Sequence, residues 1–82
     1  MLLNVQILGS GCKNCQLLFT RTQEILQELG KEASVEKIED MARIMSFGVM
    51  VTPALVVDGK LAFSGFVPSK EQIRKYLLQV GS

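Results

Sequence analysis

Cys12 and Cys15 are the residues of this chain best suited to chemistry, and they are its only cysteines. Lys13 and Asn14 separate them, and the run around them reads Leu8-Gly9-Ser10-Gly11-Cys12-Lys13-Asn14-Cys15-Gln16. Thiols this close can pass between a dithiol and a disulfide. As a structural staple the pair would be weak: closing so small a loop is worth about 2 kcal/mol, against about 3 for a loop of ~15 residues. A small secreted domain that leaned on disulfides would carry more cysteines, more widely spaced. Exchange chemistry is the stronger reading.

The neighbouring segments say what would position these thiols. Leu2 to Leu8 reads as a strand, apolar at nearly every position. Leu18, Thr22, Ile25, Leu26 and Leu29 recur at helical spacing, so a helix is predicted from about Lys13 to Leu29, with Gly30 as its left-handed stop. The cysteines therefore fall where a strand ends and a helix begins, and Gly9 and Gly11 let the chain turn there. The first N–H groups of a helix lack intrahelical partners and carry partial positive charge. A Cys12 thiolate would gain from both, and from Lys13 beside it. Lowering its pKa from about 8.5 to 7 would raise the thiolate fraction at pH 7 about 15-fold. The accompanying loss of nucleophilicity takes back roughly 5-fold, so better leaving-group behaviour and the nearness of Cys15 matter as much. Cys15, one turn on, opens the apolar face and is expected to be the more buried.

The rest of the chain supplies further elements. Residues 33–38 suit a polar edge strand, making with the first strand and helix a βαβ unit with parallel strands. Asp40 can cap a short helix holding Met41, Ala42, Ile44, Met45 and Phe47, whose methionines read as core filling rather than as copper ligands. Pro53 precedes Ala54 to Val57, and Asp58-Gly59 joins that run to Lys60–Ser64 as a two-residue hairpin. Gly65 then marks a β-bulge or a close backbone approach. Ser69 and Gln72 form a capping box ahead of a last helix carrying Ile73, Leu77 and Val80. Arg21, Gln23, Glu24, Gln27 and Glu28 read as a solvated face of the first long helix. Gln6 interrupts the first strand, as an amide satisfied by backbone or as a group beneath the cysteines.

Composition narrows the function. An 82-residue chain with 48% hydrophobic residues fits one domain over 1–82. A net charge of +1 gives no case for nucleic acid or an anionic membrane. No run nears the ~20 apolar residues of a membrane span, and the first residues lack the pattern of a secretory leader. A cytoplasmic monomer is expected.

The order β-α-β-α-β-β-α, with Cys-x-x-Cys after the first strand and Val51-Thr52-Pro53-Ala54 before the third, resembles a minimal thioredoxin fold. With Val57-Asp58-Gly59 and Ser64-Gly65, the whole chain is similar to small glutaredoxin-like, redox-active disulfide proteins. The resemblance implies an α/β fold with a mixed four-stranded sheet and helices on both faces. It implies a thiol–disulfide oxidoreductase with no cofactor, in which Cys12 attacks and Cys15 resolves. Gly11, Lys13 and Asn14 would tune the thiolate. Pro53 would be cis, the backbone of Thr52 would pair with an extended substrate, and Gly65 would leave it room. The partners implied are a disulfide-containing protein or small molecule and a flavoprotein reductase of the thioredoxin-reductase type. Where thioredoxins keep an acid in the first strand this chain has Gln6, which leaves water or Lys13 to move the proton of Cys15. Two other classes stay open. One is a Cu(I) carrier of the heavy-metal-associated type, which requires βαββαβ order. The other is a binding module, or half of a zinc or iron–sulfur site shared across a dimer.

Overall fold

A computed structural model describes residues 3–9 and 13–80. Its elements are β1 (Leu3–Leu8), α1 (Lys13–Leu29), β2 (Ala33–Ile38), α2 (Met41–Ser46), β3 (Ala54–Val57), β4 (Lys60–Ser64) and α3 (Lys70–Gln79). The four strands form one sheet in the order β2-β1-β3-β4, with β1 and β2 parallel and the other pairs antiparallel. This is the α/β arrangement of a thioredoxin-like fold. It is not the βαββαβ order that a heavy-metal-associated domain requires.

Alternation along the strands divides the core between the two faces of the sheet. Leu3, Val5 and Ile7 of β1, with Leu55 and Val57 of β3, pack with Leu18, Ile25 and Leu26 of α1 and Ile73 and Leu77 of α3. The intervening residues Leu8, Ala54 and Val56, with Ile38, pack on the other face with Ile44 of α2 and Val49. β1 is thus covered on both sides, as its near-continuous apolar run requires. Gln6 alternates with Ile7 and so lies on the face away from α1, half-buried and paired in register with Glu36 and Val56. That placement removes it from beneath Cys15.

Local signals close the elements. Gly30 has φ +66°, ending α1 in the left-handed region that glycine enters without penalty. Asp58 and Gly59, at φ 51° and 80°, make the tight turn between β3 and β4. Asp58 also ties that turn to β1: its N–H donates to the Asn4 carbonyl (2.7 Å) and its carboxylate accepts from the Asn4 N–H (2.9 Å). Ser69 and Gln72 form the capping box of α3, with Oγ accepting from the Gln72 N–H at 3.2 Å and Oε1 accepting from the Ser69 N–H at 2.9 Å. Ser69→Ala should destabilise the protein by about 1 kcal/mol, read as a lower urea midpoint at unchanged slope.

One expectation needs correction, and two others gain detail. The face of α1 read as solvated is exposed, and part of it also meets α3: Glu24 accepts from Lys70 (2.6 Å), Glu28 from Arg74 (2.5 and 3.2 Å), and the half-buried Arg21 donates to the Pro68 carbonyl (3.0 Å). The bond from Arg74 holds the Glu28 carboxyl below its ordinary range and raises the guanidinium in turn. Met41 and Met45 do not fill the core. They are 57% and 70% exposed, and Ile44 alone of the helix is buried. The β-bulge falls within β4, where Leu55 faces Phe63 but Val56 faces Leu61, so Ala62 is the extra residue. Of the two readings offered for Gly65, a bulge or a close approach, the second holds: a Cβ there would come within 3.1 Å of Val51 Cγ1.

Candidate active site

Four chain segments meet at one end of the sheet. Leu8 is the last residue of β1, and it pairs with Ile38, the last of β2, and with Ala54, the first of β3. Ala54 in turn pairs with Ser64, the last of β4. Gly9, Pro53 and Gly65 each lie one residue beyond these pairs, so the register sets them side by side where α1 begins.

Cys15 is the third residue of α1 and is 6% exposed. The side chain lodges against Gly9, where a Cβ would overlap Cys15 Sγ and stand 3.0 Å from Cys15 Cβ. Gly9 itself is held by its N–H donating to the Ile38 carbonyl at 3.0 Å. A small cleft opens beside the sulfur, lined by Ile7, Gly9, Cys15, Gln16, Lys37 and Glu39. Lys13 and Asn14 are exposed on the first turn of α1, and no acidic residue stands in that turn to oppose a thiolate. Gly11 and Cys12 lie outside the described residues, so their expected roles rest on the sequence.

Across from the helix, the Thr52–Pro53 peptide bond is cis. Pro53 is buried and Thr52 half-buried. The Gly65 N–H donates to the Pro53 carbonyl at 2.9 Å, closing the end of β4 onto this loop. Gly65 has φ +84°, and a Cβ there would come within 3.1 Å of Val51 Cγ1. Val51, Met50 and Phe66 bracket Pro53 and Gly65 in sequence and are exposed, Met50 almost completely. The sheet end thus carries a buried thiol, a buried proline and an exposed apolar rim. Among the described residues no group of three or more His, Cys, Asp or Glu is clustered to hold a metal ion.

A thioredoxin domain model matches residues 3–78. The chain belongs to the thioredoxin-domain family. It is 45% identical to a thioredoxin of Methanothermobacter thermautotrophicus over 93% of this chain and 99% of that protein. A thioredoxin of Methanocaldococcus jannaschii is 33% identical over 89% of this chain and 84% of its own. These relatives support thiol–disulfide oxidoreductase chemistry at the general level. No helix among the described residues is long and apolar enough to cross a membrane.

Cys15, Thr52, Pro53 and Gly65, which the sequence singled out, all lie at this sheet end. Lys37 and Glu39, which line the cleft beside Cys15, were not singled out by the sequence. The available signal was register: in a strand parallel to β1, the residues level with Ile7 and beyond Leu8 share the face on which α1 lies.

Proposed function

We propose that this 82-residue chain is a single-domain carrier of electrons between thiols, working through a Cys12–Cys15 disulfide. The Cys12 thiolate attacks one sulfur of a substrate disulfide. A Cys12–substrate mixed disulfide forms, and the other half of the substrate leaves as a thiolate that takes up a proton. The Cys15 thiolate then attacks Cys12 Sγ and expels the second half. Two electrons have passed to the substrate, and the protein holds a Cys12–Cys15 disulfide. A flavoprotein reductase would return the pair to the dithiol.

The observation that carries this reading is the seat of Cys15. It sits in the first turn of α1, pressed against Gly9, level with cis-Pro53 and Gly65 across the sheet end. A thiol spaced three residues from Cys12 can close a disulfide with it, and Cys15 is held out of bulk solvent, as resolution requires. Lys13 and the first helical N–H groups, with Gly11 and Asn14 shaping the turn, favour the Cys12 thiolate. Thr52 offers backbone groups to an extended substrate, Gly65 keeps the approach clear, and the rim of Met50, Val51 and Phe66 suits a disulfide carried on a protein. A monomer in the cytoplasm fits this role.

Titrating the metal-free protein through a series of dithiol and disulfide buffers tests the reading. One reversible two-electron transition near about −270 mV is expected, the range of a thioredoxin-type reductant. A transition at about −180 to −120 mV would reverse the direction of flux and make the protein an oxidant or isomerase. Absence of any reversible transition would overturn the proposal.

A further inference from the structure

Deprotonation of Cys15 is the step for which β1 offers nothing. Ile7 of β1 and Gly9, which follows the strand, are level with it and carry no titratable group, and Gln6 lies on the opposite face. The charged side chains that share the Cys15 cleft come from β2 and the residue that follows it by one: Lys37 and Glu39. They flank Ile38, so alternation sends both toward the face on which α1 lies.

Lys37 is also held in place. Its Nζ stands over the Phe19 ring, 4.4 Å from the centroid. Phe19 follows Cys15 by four residues on α1, so the two side chains share one face of the helix, a turn apart. The cation–π contact thus keeps the ammonium on the flank of α1 that carries Cys15. Glu39 brings the opposite charge to the mouth of the same cleft.

We propose that Lys37 and Glu39 are an opposed pair of positioning residues that set the proton affinity of Cys15. This rests on the reading of Cys15 as the resolving thiol. The ammonium favours the Cys15 thiolate and the carboxylate disfavours it. When Cys15 gives up its proton to water in the cleft, its sulfur attacks Cys12 Sγ, the bond from Cys12 to the substrate breaks, and the departing thiolate takes up a proton. Neither Lys37 nor Glu39 changes its charge in this step. They set the pH at which it proceeds.

The other charged groups around Cys15 are engaged elsewhere or act on the helix start. Lys13 is exposed on the first turn of α1, and Gln16 of the cleft is uncharged. Arg21 donates to the Pro68 carbonyl. Glu36 is on the other face of β2, paired with Arg43 at 3.4 Å, and the Asp40 carboxylate accepts from the Ala42 N–H to cap α2. On α3, Lys70 and Arg74 are paired with Glu24 and Glu28 further along α1.

The test uses Cys12→Ser protein, in which Cys15 is the one remaining thiol. Ultraviolet thiolate absorbance is followed against pH. Lys37→Met keeps a stem over Phe19 but removes the charge, and should move the Cys15 titration upward by about half a unit or more. Glu39→Gln should move it downward by a similar amount, the double variant should return close to the parent, and Lys37→Arg should leave it near the parent. A pair of single variants that both titrate with the parent, or that move in one direction, would overturn the proposal. Protein lacking Cys12 cannot cycle, so this result stands apart from the redox titration. In the intact dithiol protein, the pH profile of mixed-disulfide resolution should shift in the same two directions.

Discussion

Cys15→Ser protein should accumulate as a covalent adduct with half of its substrate, while Cys12→Ser protein should form no adduct at all. The asymmetry follows from the order of the two attacks. With Cys15 replaced, Cys12 still opens the substrate disulfide, but nothing in the molecule can then displace the mixed disulfide. Resolution falls to a thiol from solution. A well-placed intramolecular group acts at an effective concentration that reaches about 10⁵ M in favourable cases, whereas a reductant in solution is present at about 10⁻³ M. Even a small part of that advantage makes the expected loss of turnover at least ~100-fold. Cys12→Ser removes the first attack, and turnover should fall to the uncatalysed rate. Intact-protein mass spectrometry after brief exposure to a protein disulfide, with steady-state turnover beside it, reads both results. Cys15 is 6% exposed, so a serine there also costs stability, and thermal melting must show that the variant is folded at the assay temperature. Wild-type turnover by Cys15→Ser protein would remove Cys15 from the mechanism. A site that only held a metal would give no adduct in either variant.

Periodicity made the frame of this molecule legible. A strand apolar on both faces, a helix with one apolar stripe, an Asp-Gly turn and a Ser-x-x-Gln cap each state a local preference that tertiary packing has no reason to oppose. β1, α1, the β3–β4 turn and the start of α3 therefore stand as their residues suggest. Relations between elements were harder to read. Glu24 and Glu28 on α1 are exposed as they read, but their ion pairs with α3 were not legible, because Lys70 and Arg74 lie more than forty positions away in the chain. The exposure of Met41 and Met45 has a similar origin. A helix as short as α2 turns a single apolar residue, Ile44, into the core and leaves the methionines on its other sides mostly exposed. At the site, residue types declared the thiols and the proline, but the charges beside Cys15 come from a different strand and emerge only from register.

Gly9 is the residue whose importance sequence explains least, and its replacement should harm both stability and chemistry. Next to a sharp turn it reads as a hinge, yet it does not occupy the positive-φ region that Gly30, Gly48, Gly59 and Gly65 adopt. Its constraint is space. A Cβ at this position would overlap Cys15 Sγ, and the backbone cannot retreat without giving up the bond from the Gly9 N–H to the Ile38 carbonyl. Overpacking of this kind typically costs about 1–3 kcal/mol, which in a domain of this size lowers Tm by about 4–8 °C for each kcal/mol. The side chain with freedom to move is that of Cys15, and displacing its sulfur should slow resolution of the mixed disulfide by about 10-fold or more. Gly30→Ala, at the far end of α1 with φ +66° and open space around it, makes the comparison: it strains the backbone and lowers Tm but should leave the resolving rate unchanged. A thermodynamic cycle then isolates the contact. If the added methyl acts through the sulfur, Gly9→Ala should be less damaging in a Cys15→Ala background than in the parent, because the overlapping atom is gone. Equal losses in the two backgrounds would mean that Gly9 serves the turn and not the thiol.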